Sequence, residues 1–500
     1  MTTSFVTTAI PYVNASPHLG FAYELVLGDV LARHHRRRGR DVWFATGTDE
    51  HSLKNVAAAA RAGVPVRELV DRNAAAFRAL ETTLGLAPDD FVRTASDPRH
   101  RATVEALWQA CAADLVRARW TGRYCAGCES FVEADVAICE EHGTVPELVS
   151  ETNWFFQLAR YVEPLRAAIE SGRLVIVPEA ARTETLRFLA GPVHDLSVSR
   201  DAARAAGWGI PVPGDPTQVI YVWFDALASY LAAAGESRWR ASERTHVIGK
   251  DITRFHAVYW PAFLLAAGLP LPDRILVHGY LTVDGKKIAK SGTGFEVPPV
   301  VDQFGVDAVR WYFVRRCRTR GDSDVKLAEI AAAHDGDLAD RLGNLVQRCG
   351  KLVERLGVPI PVVVESPLRG LAEALPAKVD AALAAFLPDD AAAAILDLVD
   401  AANRTLAQTA PWQVADPQAA AALLYAPLEA ARIATAELSV FVPGIAATVL
   451  DRLGGAGLAP AWGHLPAIPW RPGPPPLPKI ARSTDTASPP RNATNRNRKQ

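Results

Sequence analysis

Ile10-Pro11-Tyr12-Val13-Asn14-Ala15-Ser16-Pro17-His18-Leu19-Gly20-Phe21 decides how this chain is read. A strand ends, the chain turns tightly, and a helix starts at a His-x-Gly bend. A helix N-terminus presents unpaired backbone N–H groups and the positive end of the helix dipole, which suits a bound phosphate. Gly20 lets the backbone approach a flat ligand, and His18 adds a side-chain donor. Outward from this turn, the first hundred or so residues alternate apolar strands (Ser4–Ile10, Asp41–Thr46) with helical stretches (Ala22–His34, Val66–Leu84). That is βαβ grammar and predicts a parallel sheet.

A second phosphate-suited segment lies far downstream, Asp284-Gly285-Lys286-Lys287-Ile288-Ala289-Lys290-Ser291, a Gly-containing loop with three lysines. No G-x4-G-K-[ST] occurs, so the nucleotide site is not a P-loop. Standing alone, Lys286-Lys287 would read as a solvated turn; its pairing with His18 gives it a function.

Between these segments the texture changes to a turn-rich, Cys-containing module, and parallel-sheet character returns at Val219–Trp223, Thr245–Ile248 and Arg274–Val277. In the module, Cys125-x2-Cys128-x10-Cys139-x2-His142 has the spacing of a zinc knuckle, three thiolates and an imidazole around one Zn²⁺. All four positions are filled, so the metal is expected to be structural. Cys111, Cys317 and Cys349 sit in helical or apolar context and are expected in the core. From about Leu327 to Leu453 the chain has helical periodicity and few strand signals, which predicts an α-helical bundle.

The expected organisation is α/β. A Rossmann-like parallel-sheet domain is split into residues 1–113 and 212–290 by the inserted zinc-knuckle module, 114–211. A linker follows at 291–330, then an α-helical bundle domain at 331–460 and a Pro-rich, disordered tail at 461–500. With 49% hydrophobic and 22% charged residues, the composition is that of a globular protein of several domains. A net charge of −1 gives no global basic field, so RNA would have to be held by local patches. His34 to Arg40 and Arg315 to Arg320 are two such runs, each readable as a solvated helix end or an RNA-facing surface. No run of about 18 apolar residues suggests a membrane span, and the N-terminus lacks a signal-peptide pattern. With metal-spaced cysteines, this predicts a cytoplasmic protein.

The His18 turn and the Lys287–Lys290 loop together resemble the HIGH and KMSKS signatures of class I aminoacyl-tRNA synthetases. The flanks resemble the methionyl-tRNA synthetase family over about residues 4 to 480. The resemblance implies a methionine–tRNA ligase that uses ATP with Mg²⁺ to make methionyl-adenylate and charges tRNA(Met) as a monomer. It implies His18, Lys287 and Lys290 as catalytic residues, with Gly20, Gly249 and Asp251 among the ATP contacts. Ala9, Ile10 and Tyr12 match the strand under the substrate, and Asp49 of Thr48-Asp49-Glu50-His51 matches the residue that holds the α-ammonium. Trp223, Ala226, Leu227, Tyr230, Phe255, His256 and Trp260 match the side-chain pocket. Asn344, Arg348 and Trp412 match the anticodon readers, so the resemblance implies that the Rossmann-like domain is catalytic, that 291–330 is a stem-contact linker and that 331–460 is an anticodon-binding domain.

Departures gather at the catalytic motifs. The second histidine of HIGH is Phe21, KMSKS reads Lys-Ile-Ala-Lys-Ser with Ala289, and an Asn usual near the anticodon helix is Asp340. These leave two other readings open: a paralogue that passes an activated amino acid to a small-molecule amine, and a non-catalytic RNA-binding regulator.

Overall fold

The computed structural model describes residues 3–125, 130–132, 136–139, 143–288, 296–363 and 365–480. Its centre is a six-stranded sheet. The first half contributes β1 (Thr3–Thr8), α1 (Leu19–Arg37), β2 (Asp41–Thr48), α2 (Val66–Thr83), β3 (Asp90–Arg93) and α3 (Pro98–Ala110). The second contributes β4 (Val175–Val177), α4 (Val222–Ala241), β5 (Ser242–Gly249), β6 (Arg274–His278) and α5 (Val306–Arg316). The strand order is β3-β2-β1-β5-β6-β4 and every pairing is parallel. The order reverses between β1 and β5, so a crevice opens beyond their carboxyl ends, where ligands bind in such sheets. The His18 turn stands at that point.

Burial on both faces explains the apolar run of β1, in which Phe5 and Val6 are fully enclosed. α1 is enclosed nearly all round, because the sheet lies on one side and α5 and the helical region on the other. A Cβ at Gly28 would lie 2.7 Å from the Thr8 methyl and 3.1 Å from Phe44, so glycine sets how closely α1 approaches the sheet.

Two sheet expectations are corrected. Val219–Trp223 is not a parallel strand: Asp215–Ile220 pairs antiparallel with Ser199–Asp201 and Pro211–Val212, and α4 begins at Val222. A short, buried apolar run has no periodicity to separate these cases. Conversely, Val175–Val177, inside the stretch expected to be wholly insertion, joins the edge of the main sheet beside β6. Three residues are too few to show in texture. The rest of the insertion is built on an antiparallel sheet, with Leu115–Cys125 paired to Glu147–Phe156.

From Leu327 to Arg452 the described chain is mostly helical, with α6 (Asn344–Leu356), α7 (Pro367–Ala384), α8 (Pro388–Thr409) and α9 (Pro417–Leu438) packed around Leu345, Ile395 and Leu424. The tail expectation is corrected up to residue 480. A fully buried Glu429–Arg432 pair takes it down. Arg432 donates to the carbonyls of Gly457, Ala459 and Ala461, and Glu429 accepts from the amides of Gly463 and His464. Trp470 then covers Gly350, where a Cβ would sit 2.1 Å from the indole. Pro-rich chain carries few donors, so one ion pair satisfies a long stretch of it. Residues 481–500 lie outside the described residues.

The basic run at the end of α1 is neither a solvated helix end nor an RNA surface. Arg37 and Arg38 bond the fully buried Glu437 of α9 at 3.0 and 2.9 Å, and Arg38 also bonds Asp380 of α7 at 2.7 Å. Arg36 and Arg40 are held by Asp89 and Glu243. In the second run, Arg315 faces Asp337 at 3.4 Å, while Arg316, Arg318 and Arg320 are exposed.

Replacing Glu437 by Ala takes the paired carboxylate from Arg37 and leaves Arg38 with Asp380 at this junction. The expected loss is about 3 kcal/mol, the usual scale for breaking a buried pair from one side. Urea unfolding of the variant within 1 kcal/mol of wild type would show that the junction does not depend on the pair.

Candidate active site

β1 delivers the chain to the crevice. The Ala9 amide donates to Glu24 Oε1 at 2.8 Å, and Tyr12 pairs with Asp49 in a parallel bridge in which the Asp49 amide donates to the Pro11 carbonyl at 2.9 Å. The exits of β1 and β2 are thereby joined. His18 is the N-cap of α1, and its Nδ1 accepts from the Gly20 amide at 3.1 Å. In the neutral ring the proton therefore sits on Nε2, which makes that nitrogen the donor. A Cβ on residue 20 would lie 2.9 Å from His18 Cε1 and 3.0 Å from Nδ1. The glycine of His-x-Gly makes room for the imidazole itself.

Phe21 stacks on His18 with centroids 4.5 Å apart and 29° between planes, and meets Phe77 of α2 edge-on at 5.4 Å. Where a second imidazole would add a donor, this chain has an apolar wall.

The lysine loop leaves a short hairpin, Leu281–Val283 against Lys286–Lys287, whose turn residues Asp284 and Gly285 both have positive φ (50° and 72°). The Ile288 amide donates to the Leu281 carbonyl, and Ile288 is buried. Lys290, Ala289 and the rest of 289–295 lie outside the described residues, as does the Lys287 side chain. At its far end the loop is tied to the turn, because Glu296 forms an antiparallel backbone bridge with His18.

On the other side of the switch point, Gly249 ends β5 and Asp251 follows in the next turn. A Cβ at Gly249 would lie 2.9 Å from Asp251 Oδ1, so the two form one narrow feature. Glu24 reaches the same place, 3.0 Å from His278 Nε2. Burial pushes the Glu24 carboxyl up, and His278 works against that. Glu24 and His278 carry no motif in the sequence. Only the position of a carboxylate on the buried side of α1 would have drawn attention to them.

The aromatic residues converge. Trp223 and Phe255 stack at 3.7 Å and 11°, Tyr12 meets Trp223 at 6.4 Å, and Ala226 and Leu227 are buried in the first turns of α4. His256 Nδ1 donates to the Ile252 carbonyl at 3.0 Å, so its Nε2 accepts from the Tyr230 hydroxyl at 2.7 Å. Trp260 donates through Nε1 to His246 Nε2 at 3.2 Å, and His246 Nδ1 meets the Thr7 hydroxyl at 2.6 Å. Burial holds His256 down at about 4 and holds His246 well below its ordinary value. The pocket floor is therefore neutral, and its polar atoms bond each other. It suits a soft, apolar, unbranched group. Lys54, absent from the motif reading, stands 5.1 Å from the centre of the Tyr12 ring.

Two sites lie apart from the crevice. Cys125 and Cys139 are buried; Thr144 accepts the Cys139 amide bond at 2.8 Å, and its hydroxyl is 4.0 Å from Cys125 Sγ. Cys128 and His142 lie outside the described residues. Cys111, Cys317 and Cys349 are core residues, as expected. In the helical region Arg348 lies over the Trp412 ring at 5.5 Å, Asn344 is exposed one turn before Arg348, and Trp412 is 38% exposed. Trp412 is therefore not a buried helix–helix contact. Asp340, the acidic departure, is paired with Lys479 at 2.8 Å.

A family model described as tRNA synthetases class I (M) matches residues 4–138 and 133–350. The fold and the paired phosphate-suited turns thus define a class I tRNA synthetase. A methionine–tRNA ligase of Mesorhizobium japonicum is 38% identical over 483 residues, covering 90% of this chain and 91% of its own length. One from Streptomyces coelicolor is 36% identical, with 93% and 94% covered. The Mycobacterium tuberculosis methionyl-tRNA synthetase in complex with methionyl-adenylate superposes with a TM-score of 0.90 at 34% identity, covering 96% of this chain and 100% of that one. Within the class, this chain belongs to the methionyl-tRNA synthetase family.

Gly20→Ala is expected to push the His18 ring aside and lower the rate of amino acid-dependent ATP–pyrophosphate exchange by about 10- to 100-fold, the scale of losing one oriented donor. An unchanged rate would show that the ring orientation is immaterial. Acid should also weaken the fold. His34, His35 and His256 are held near 4 by burial, against an ordinary 6.5, and burial also holds His246 well below its ordinary value. Below 6.5 the unfolded chain takes up protons that the native state refuses. Stability is thus complete above about pH 7 and falls as pH drops toward 4, read as a declining urea midpoint; a flat midpoint would contradict it.

Proposed function

We infer that the chain is a methionine–tRNA ligase, activating L-methionine with ATP to methionyl-adenylate and transferring the methionyl group to tRNA(Met). The observation that carries this is the His18–Glu296 bridge, which brings the residue that follows the lysine loop in sequence to the His-x-Gly turn, beside a neutral aromatic pocket. The thioether lies among Tyr12, Trp223, Tyr230 and His256, with Ala9, Ile10, Ala226, Leu227, Phe255 and Trp260 completing the enclosure. Asp49, buried at the bridge with Tyr12, holds the α-ammonium by a charge-assisted bond. The adenosine lies along Gly20, Gly249 and Asp251.

The methionine carboxylate attacks the α-phosphorus, and the bond to pyrophosphate breaks. Negative charge then builds on the phosphoryl oxygens. His18 Nε2–H, Lys287 and Lys290 meet it where it develops, which lowers the barrier more than it tightens ground-state binding. ATP enters as its Mg²⁺ complex, whose cation shares in neutralising the phosphates. In the second step a terminal ribose hydroxyl of the tRNA attacks the adenylate carbonyl and AMP leaves. At the far end Trp412 stacks a splayed base of the CAU anticodon, and Asn344 and Arg348 read edges; their exposure supports this role.

Cys125, Cys128, Cys139 and His142 would hold one Zn²⁺ that stiffens the insertion. The nearness of Cys125 and Cys139 to the same Thr144 fits such a knuckle. The catalytic domain comprises 1–113 and 212–290 plus the β4 strand, and the enzyme acts as a cytoplasmic monomer. No helix among the described residues is long and apolar enough to cross a membrane.

ATP-dependent charging of a CAU-anticodon tRNA transcript with radiolabelled methionine tests the reading, beside a transcript with an altered anticodon. Charging of the first alone is expected. Adenylate formation without charging of either would move the acceptor to a small-molecule amine.

A further inference from the structure

Asp225 lies in the first turn of α4 and is fully buried, yet nothing in the adenylation chemistry uses it. It accepts two hydrogen bonds, from His51 Nδ1 at 2.6 Å and from His100 Nε2 at 2.5 Å. The three residues come from three elements: the segment after β2, the start of α3, and α4. A carboxylate only accepts, so each neutral ring must carry its proton on the nitrogen that faces Asp225. His51 is thereby left with a bare Nε2. Its side chain is 9% exposed, with the ring edge-on to Trp208 at 5.6 Å.

The His51 amide donates to Asp49 Oδ1 at 3.3 Å, and Asp49 bridges to Tyr12. On the other side, Asp225 is flanked in sequence by Trp223, Ala226 and Leu227. One carboxylate thus ties the segment bearing Asp49 to the helix bearing the side-chain pocket. Burial alone would raise its pKa; the two histidines outweigh that and hold it down at about 2. An α-amino acid presents its ammonium and its side chain at a fixed separation, so the two halves of its site must keep theirs.

We propose that Asp225 is a positioning residue for amino-acid recognition, acting through His51 to hold the Asp49 segment in register with the pocket helix. This rests on the methionine-activating reading above. Asp225→Asn keeps nearly the same volume but presents one acceptor and one donor in place of two acceptors, so His51 and His100 can no longer both donate to it.

The test is methionine-dependent ATP–pyrophosphate exchange with the full chain. Asp225→Asn is expected to raise KM for methionine tenfold or more while KM for ATP stays within twofold. His51→Asn, whose amide still donates near the place of Nδ1, should stay within threefold of wild type, and His51→Phe should reproduce the loss. An unchanged methionine KM, or equal losses toward both substrates, overturns the proposal; if Asp225→Asn does not fold, the two His51 variants decide it by the same criteria. A histidine side-chain ¹⁵N–¹H spectrum of wild type should show His51 protonated at Nδ1 and bare at Nε2, and the reverse tautomer overturns the proposal whatever the amino acid. Wild type inactive with methionine but showing the expected tautomer would instead overturn the functional reading.

Discussion

Asp29, midway along α1 and fully enclosed, must be neutralised, and Arg310 of α5 does so at 2.7 Å. The same guanidinium donates to the carbonyls of Leu84, Val440 and Phe441. One buried ion pair therefore joins the central helix of the sheet domain, the end of α2 and the far end of the helical bundle. Such a pair adds little net stability over an apolar contact, but with either partner alone it would be strongly unfavourable. The halves of the molecule are held to one arrangement because only that arrangement leaves no charge stranded. Arg33 reinforces it from the exposed side at 2.6 Å.

α1 converts this constraint into function. Its first residues form the phosphate-suited turn, its middle carries Asp29, and its last turn inserts Arg37 and Arg38 into the bundle. Nineteen helical residues at about 1.5 Å each make a strut of about 28 Å. Its middle and its far end are both fixed by charged side chains paired out of solvent. The geometry of the His18 turn is thus set by the whole interface as well as by its own loop.

The sequence carried much of this, unevenly. Strong local chemistry was readable: His18-x-Gly20, the alternation into a parallel sheet, and the long helical run each rest on rules that act within one element. The aromatic pocket was readable through resemblance, because its members are scattered along the chain and no local rule joins Tyr12 to Trp260. What failed depended on partners remote in sequence. Arg37 and Arg38 look like surface residues until Glu437, 400 and 399 positions away, is placed against them. The Pro-rich segment looked unable to fold because its stabilising charges, Glu429 and Arg432, belong to a different helix. Val219–Trp223 failed for a local reason, since a buried run of five residues has no periodicity.

The pairing order of the sheet has a consequence for how the protein is made. β1 leaves the ribosome first, but its neighbour β5 carries His246, 239 positions after Thr7. At about 5–20 residues per second, that neighbour arrives tens of seconds later. For that interval an apolar strand destined for the middle of a sheet has one open edge, the kind of edge that recruits other chains. During synthesis that edge therefore has to be kept from other chains until β5 arrives to cover it.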